Sequence, residues 1–229
     1  MDDSTVNKLC ATFFIVIVVT LYYFVDPIKQ GFWCDDRSIR YEYRDLIISL
    51  RTILISTLCL PCFTIKFFGS NVLLRKYFFG YLVNLFVTIF TKFATGRLRP
   101  HFIAVCRPNI DCENASFANV YITNYTCENS NYWDVKQARQ SFFSGHASIA
   151  FYSVCFLTLF IQQRFNKNTN LLKPTIQVLL LFFGLIPGLT QILNHWHHWS
   201  DVAFGYFAGC LTAYLTFTYV SIINYSINR

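Results

Sequence analysis

The sequence predicts an all-α membrane protein, a bundle of six transmembrane helices with a functional site at its luminal or extracellular face. Of its 229 residues, 54% are hydrophobic and 19% aromatic, and only 14% are charged. Because an ordinary soluble domain contains about a quarter charged residues, much of this surface is expected to face lipid. The same composition excludes a disordered or collagen-like chain.

Six apolar stretches can be drawn, most of them about 17 to 23 residues long, which a helix needs to cross a hydrocarbon layer of about 30 Å. They cover about residues 9–25, 46–68, 77–94, 144–163, 174–193 and 202–223 of a single domain, 1–229, whose long external loop is 95–143. None of them alternates polar and apolar residues as the strands of a membrane barrel do. Helices are therefore expected, because they satisfy their own backbone groups in lipid.

The first stretch could instead be a cleavable signal peptide. It follows the acidic pair Asp2 and Asp3 and has no small-residue cleavage site after it, so we expect it to be retained as a span.

The orientation is predicted from loop charges and glycosylation sequons. The loops on the N-terminal side carry eight basic residues and two acids, whereas the opposite loops carry about as many acids as bases. This favours a cytosolic N-terminus. Sequons at Asn114 and Asn124 both lie in the long loop, where we expect glycan on the luminal or extracellular side. The protein is expected in the plasma membrane or an endomembrane, with its site facing outside or the lumen.

Four of the nine cysteines lie in the loops assigned to the outside: Cys34, Cys106, Cys112 and Cys127. They allow up to two disulfides, with three connectivities. The other cysteines lie in or beside the spans, where a free cysteine is usually a small buried hydrophobe.

The net charge of +7 could mark a nucleic-acid-binding protein. In so apolar a chain it favours anionic headgroups or phosphorylated substrates. The expected partners are therefore membrane lipids and lipid phosphates, with no nucleic acid, and a homo-oligomer is compatible with the sequence.

The ionisable residues converge on one face of the predicted bundle. Successive spans alternate in direction, so the ends of the third and fifth spans and the starts of the fourth and sixth lie together. That face holds all five histidines of the chain: His101, His146, His195, His197 and His198. Such a cluster at a membrane face favours a functional site over isolated structural residues.

The residue types and their spacing suggest phosphate chemistry. His197 and Asp201 are four residues apart, which in a helix stacks them, so the carboxylate can accept the Nδ1 proton and leave Nε2 as a nucleophile. Lys92 and Arg99 are seven residues apart, or two turns along one face of a helix that Pro100 would end. Two fixed cations suit a phosphate group.

The turn Ser144-Gly145-His146 precedes the fourth span. Its backbone N–H groups and the helix N-terminus provide an anion site, and glycine allows a close approach. His146 is well placed to protonate a leaving oxygen. Together with the cations and the His–Asp pair, this turn predicts phosphoryl transfer through a phosphohistidine, without metal or other cofactor.

Two other functions use the same residues. His195, His197, His198 and Asp201 could ligate a zinc ion that activates water, although the two neighbouring cations would oppose metal binding. A transporter or receptor could bind an anionic ligand without chemistry, but binding alone needs no oriented nucleophile.

At these residues the chain resembles the type 2 phosphatidate phosphatases, specifically the animal lipid phosphate phosphatases. The motif K-x6-RP matches Lys92 to Pro100, and the motif PSGH matches FSGH at Phe143 to His146. The motif SR-x5-H-x3-D matches at His197 and Asp201. The segment GFWCDDRSIRYEY at Gly31 to Tyr43 is also similar to the first external loop of that family.

The resemblance implies metal-independent dephosphorylation of lipid phosphomonoesters such as phosphatidate, lysophosphatidate, sphingosine 1-phosphate and ceramide 1-phosphate. It also implies a role for each matching residue: Lys92 and Arg99 bind phosphate, Ser144 and Gly145 contribute hydrogen bonds, His146 is the acid, His197 the nucleophile and Asp201 its orienting partner.

The chain departs from the family pattern at one position. The Ser-Arg pair that opens the third motif reads Thr190-Gln191 here, so a phosphate-binding cation is replaced by Gln191. We expect this amide to bind phosphate more weakly and to reduce activity. The alternative is a catalytically weak or inactive membrane protein that binds phosphate lipids or acts as a scaffold.

Overall fold

The computed structural model describes residues 3–112, 119–165 and 171–227. These ranges contain eight α-helices: α1 (Asp3–Phe24), α2 (Leu50–Phe68), α3 (Asn71–Thr95), α4 (Phe102–Cys106), α5 (Tyr132–Ala138), α6 (Gly145–Arg164), α7 (Leu172–Leu193) and α8 (Trp199–Ile227). Two short strands, β1 (Phe32–Trp33) and β2 (Tyr121–Ile122), pair antiparallel. A 3₁₀ helix covers Arg37–Ile39.

The six apolar stretches lie largely within long helices, but several helix starts differ from the prediction, among them those of α2 and α3. α2 begins only at Leu50, because the Ser49 hydroxyl caps it by accepting the Thr52 N–H at 3.1 Å. α3 begins well before residue 77, because the Ser70 hydroxyl accepts the Leu73 N–H at 3.2 Å. Polar capping thus sets boundaries that hydrophobicity alone misplaces.

Four helices in the described ranges, α2, α3, α6 and α7, are long and apolar enough to cross a membrane. The apolar part of α1, Lys8–Phe24, is shorter. The chain is therefore an integral membrane protein, while the count of six spans stays a prediction.

Helix α6 forms the centre of the bundle. Of its apolar segment 61% is buried, against 28% or less for α2, α3 and α7. Its closest neighbour is α8, where a Cβ on Gly209 would lie 2.2 Å from the Ser148 carbonyl oxygen and one on Gly205 would lie 2.7 Å from that of Ser144. Only glycine permits this backbone approach, which brings the start of α8 against the start of α6.

The loops between the helices form a second, smaller core over one end of the bundle. Disulfides Cys34–Cys112 and Cys106–Cys127 connect them. All four cysteines assigned to the outside are therefore paired, and the structure selects one of the three connectivities. The apolar side chains of this core include Phe32, Ile39, Phe102, Ile122 and Tyr125.

Candidate active site

The predicted site residues gather where α3 and α7 end and where α6 and α8 begin. Lys92 lies in the last turn of α3, His146 in the first turn of α6 and Asp201 in the first turn of α8. The Ser144 N–H donates to the Asp201 carbonyl oxygen at 3.1 Å, and the His197 N–H donates to that of Gln191 at 3.2 Å. The convergence that alternating spans predict is therefore observed.

Lys92 and Arg99 do not share a helix, contrary to the prediction from their spacing. α3 ends at Thr95, because Gly96 adopts a left-handed conformation with φ of +58°. The chain then turns, and Arg99 approaches Lys92 through a shared acceptor instead. The Gln140 carbonyl oxygen accepts the Lys92 Nζ at 2.6 Å and the Arg99 Nη2 at 3.4 Å.

The Arg99 guanidinium is buried, with 7% of the residue exposed, and lies 4.6 Å from the centre of the Trp196 ring. Burial lowers the pKa of Arg99 to about 10, so the group stays charged at neutral pH. Its Nε and Nη1 atoms have no hydrogen-bond partner among the described residues. Arg99 thus keeps two donors that can bind an oxyanion.

The side chains of His146 and Gln191 leave further buried donors unpaired. His146 Nε2 and Gln191 Nε2 have no partner in the described part of the chain. Ser144 caps α6, where its hydroxyl accepts the Ala147 N–H at 3.5 Å. At Gly145, a Cβ would meet only the Thr88 side chain at 3.5 Å, so no protein contact requires glycine there.

The predicted His–Asp pair forms, but with different geometry. His197 precedes α8 rather than lying within it, and its Nδ1 is 3.7 Å from Asp201 Oδ2, longer than a hydrogen bond. The same oxygen accepts the backbone N–H of His198 at 3.0 Å. Asp201 therefore reaches back to the residue before the helix, as the acid of a capping box does, and the expected Nδ1 hydrogen bond is not made.

Two residues without a predicted role also hold the Asp201 carboxylate. Arg97 Nη1 donates to Oδ1 at 2.5 Å, and the fully buried Ser141 hydroxyl donates to Oδ2 at 2.6 Å. The Ser141 N–H in turn donates to the Arg97 carbonyl oxygen at 2.9 Å. The basic character of Arg97, within the first motif, is a signal that the sequence offers, whereas nothing in the local sequence marks Ser141.

His197 is held as a neutral imidazole. Burial, and next the positive charge of Lys92, lower its pKa well below the ordinary value. Only 3% of the residue is exposed. A neutral ring with a carboxylate near Nδ1 can act as a nucleophile through Nε2.

The other three histidines contact backbone carbonyl groups. His101 Nδ1 lies 2.8 Å from the His195 oxygen, and His198 Nε2 lies 3.0 Å from that of Leu98. His195 Nδ1 lies 3.4 Å from the Glu42 oxygen. The described residues contain no group of three or more His, Cys, Asp or Glu arranged to hold a metal.

Of the two predicted glycosylation sites, Asn124 is exposed in the segment between β2 and α5. Asn114 lies outside the described residues.

Comparison with known proteins finds one family and several relatives. Residues 73–225 match the PAP2 superfamily. The chain is similar to phospholipid phosphatase 2 of Bos taurus, with 38% identity over 85% of this chain and 74% of the relative. It is also similar to phospholipid phosphatase 2 of Homo sapiens, at 36% identity over 85% and 74%, and to phospholipid phosphatase 1 of Rattus norvegicus, at 32% over 85% and 76%. No solved structure matches the chain.

Proposed function

The chain belongs to the PAP2 superfamily, and from that premise we propose that it hydrolyses lipid phosphomonoesters at the membrane surface through a phosphohistidine on His197. The names of its relatives, phospholipid phosphatases 1 and 2, support phosphorylated lipids as substrates. Phosphatidate, lysophosphatidate and sphingosine 1-phosphate are the proposed examples.

One observation carries the proposal: four buried nitrogen atoms near the ends of α3 and α7 and the start of α6 have no hydrogen-bond partner among the described residues. They are Arg99 Nε, Arg99 Nη1, His146 Nε2 and Gln191 Nε2. Unpaired buried donors are costly to stability, so their concentration beside Lys92 supports an oxyanion as the natural partner. A phosphate accepts several hydrogen bonds and suits fixed cations.

In the first proposed step, His197 Nε2 attacks phosphorus and the bond from phosphorus to the ester oxygen breaks. His146 gives its proton to the departing alcohol, while Lys92 and Arg99 stabilise the charge on the phosphoryl oxygens. In the second step, His146 takes a proton from water, the resulting hydroxide attacks phosphorus and the phosphorus–nitrogen bond breaks. Inorganic phosphate leaves and both histidines return to their starting state.

Ser144 and Gly145 are proposed to contribute backbone N–H groups at the start of α6, where the helix dipole also favours an anion. Gln191 is proposed to donate from its amide. An amide lacks the charge and forked geometry of a guanidinium, so a lower rate than in an arginine-containing site is expected.

We also propose six spans with a cytosolic N-terminus and the active site facing the lumen or the outside. Two disulfides in the loops beside the site support this orientation, because disulfides persist in oxidising compartments. The test is a glycosidase-sensitive mobility shift that disappears in the double variant Asn114→Gln, Asn124→Gln. Labelling of an N-terminal tag only from outside intact cells would refute the orientation.

The activity itself is tested by phosphate release from purified protein, using a panel of lipid monophosphates with and without a chelator. We expect release that persists in chelator and is inhibited by vanadate, a mimic of the five-coordinate phosphoryl group. If wild type releases no more phosphate than His197→Ala, the alternative of a phosphate-lipid binding or scaffold protein replaces the enzyme proposal.

A further inference from the structure

A groove of about 720 Å³ runs between α3 and α8 along the side of the bundle. One of its ends lies beside the candidate active site. Thr91 and Phe143, which line that end, directly precede Lys92 and Ser144 in the chain. Phe204 completes it, with its ring centre 5.4 Å from that of Phe143.

The groove continues from the site to Lys76 near the start of α3. The segment from Lys76 to Thr91 is about 22 Å long at the helical rise of 1.5 Å per residue. One half of a bilayer's hydrocarbon layer is about 15 Å thick. A groove of this length can accommodate a leaflet-length hydrocarbon chain.

The groove wall offers few free polar groups, although three of its residues are threonines. The hydroxyls of Thr91, Thr212 and Thr216 donate to carbonyl oxygens of their own helices, at 2.8, 2.8 and 2.6 Å. These hydroxyls therefore need no partner in the groove. Of the described residues that line it, Lys76 alone is charged, and it lies at the end far from the site.

We propose that this groove binds one acyl chain of the lipid substrate while the phosphate lies among Lys92, Arg99 and His146. The inference rests on the proposed function and adds a determinant of substrate choice. Headgroup and chain then occupy two continuous but chemically distinct sites. The groove should favour acyl chains long enough to reach along its length over short ones, because each added methylene makes further van der Waals contacts with the groove wall.

The proposal is tested by blocking the groove at two distances from the active site along α8. Ala208→Phe narrows the groove four residues beyond Phe204, about 6 Å from it, whereas Thr212→Phe does so about 12 Å from it. Blocking the shallow position should reduce kcat/KM for dioctanoyl and dioleoyl phosphatidate alike. Blocking the deep position should reduce it about tenfold or more for dioleoyl phosphatidate alone.

The matched control is Val178→Phe, which adds a similar ring on α7, where Val178 is 64% exposed and does not line the groove. It should leave the ratio of the two kcat/KM values unchanged. An unchanged ratio in Thr212→Phe as well would overturn the inference. If wild type hydrolyses neither lipid, the proposed function fails instead, so the two failures are distinguishable.

A second measurement on wild-type protein does not depend on variants that fold. A non-hydrolysable phosphonate analogue of phosphatidate, with a photoreactive group at the end of one acyl chain, should label peptides of α3 and α8 near Lys76 and Leu215. Labelling should fall when unmodified phosphonate competes. Adducts confined to α1, α2 or α7 would contradict the groove as the chain site, and labelling without competition would identify an ordinary bilayer lipid as its occupant.

Discussion

Helix α6 contributes to two buried polar clusters that differ in how their hydrogen bonds are used. In the middle of the bundle, Tyr77 Oη donates to the Thr57 carbonyl oxygen and is 2.9 Å from Ser153 Oγ, and Tyr152 Oη donates to the Tyr77 carbonyl oxygen at 2.7 Å. At the start of α6, His146 and its neighbours keep buried donors that have no partner in the part of the chain that the structure describes. The first cluster stabilises the fold, whereas the second is arranged for a ligand.

The difference separates buried polar groups that stabilise a membrane protein from buried polar groups that bind its ligand. A polar group in lipid is costly unless it is paired, and the central cluster pairs its hydroxyls within the protein. The cost of burying the unpaired donors at the site is reduced if an anion or water accepts their hydrogen bonds. Variants in the two clusters should therefore affect different quantities, stability in one and turnover in the other.

The largest effect of the following set is expected at the carboxylate support. Arg97→Ala and Ser141→Ala each remove a hydrogen bond to the charged Asp201, worth about 1.5 to 3 kcal/mol, so kcat should fall roughly 10- to 100-fold. KM should change little, because the hydrogen bonds that are removed are made to Asp201. Steady-state kinetics provide the measurement.

Both support residues have a rescue control. Added guanidinium should restore part of the activity of Arg97→Ala, and Ser141→Thr, which keeps the hydroxyl, should retain more activity than Ser141→Ala. A rise in KM with unchanged kcat would show that these residues bind substrate and do not position Asp201.

Gln191→Arg should act in the opposite direction. Restoring a charged fork beside the phosphate should raise kcat/KM by about tenfold or more. Gln191→Leu, of similar size and without donors, is the control and should lower it. No gain in Gln191→Arg would mean that the buried space around this side chain cannot hold a guanidinium in a productive orientation.

The pH profile tests the neutral state of His197. Because burial and the Lys92 charge lower the pKa of His197 well below 6.5, the nucleophile stays neutral as pH falls through the ordinary histidine range. The acid limb of kcat/KM due to this group should therefore lie below pH 6.5. In Lys92→Met the limb should move to higher pH, and a limb that stays in place would contradict the electrostatic role of Lys92.

The smallest effect on turnover is expected in the central cluster. Tyr77→Phe removes a buried hydroxyl whose partners are protein groups, so the free energy of unfolding should fall by about 1 to 3 kcal/mol. The kcat of the folded protein should be unchanged within about twofold. Thermal unfolding in detergent measures the stability, and phosphate release by the same sample measures kcat. A large loss of kcat without loss of stability would contradict the assignment of the central cluster to stability alone.

Much of the site could be predicted from the sequence because it depends on helix ends. Apolar length and the alternation of spans are enough to bring His146, His197 and Lys92 to one face. The four loop cysteines form two disulfides, the largest number that the sequence allows. Residue spacing was less reliable beyond those ends. Gly96 ends α3 before Arg99, and His197 lies ahead of α8. Helical periodicity therefore does not describe how Lys92 lies relative to Arg99, or His197 relative to Asp201.

The support of Asp201 could not be predicted because it depends on tertiary contacts. Ser141 and Arg97 reach the carboxylate across 60 and 104 residues of chain. Their own segments have no regular secondary structure at those positions, so no period places their side chains. The packing of α8 against both α6 and α3 brings them to one carboxylate.

The most direct test of the account is chemical trapping of the phosphoenzyme. Wild type and His146→Ala are quenched in base during turnover of radiolabelled para-nitrophenyl phosphate, whose leaving group needs no acid. The phosphohistidine mechanism predicts a base-stable, acid-labile phosphoryl group on His197 that accumulates most in His146→Ala, since that variant cannot activate water for the second step. It predicts no label in His197→Ala. Label on another residue, or turnover by wild type with no trapped phosphoenzyme in either protein, would contradict the phosphohistidine mechanism.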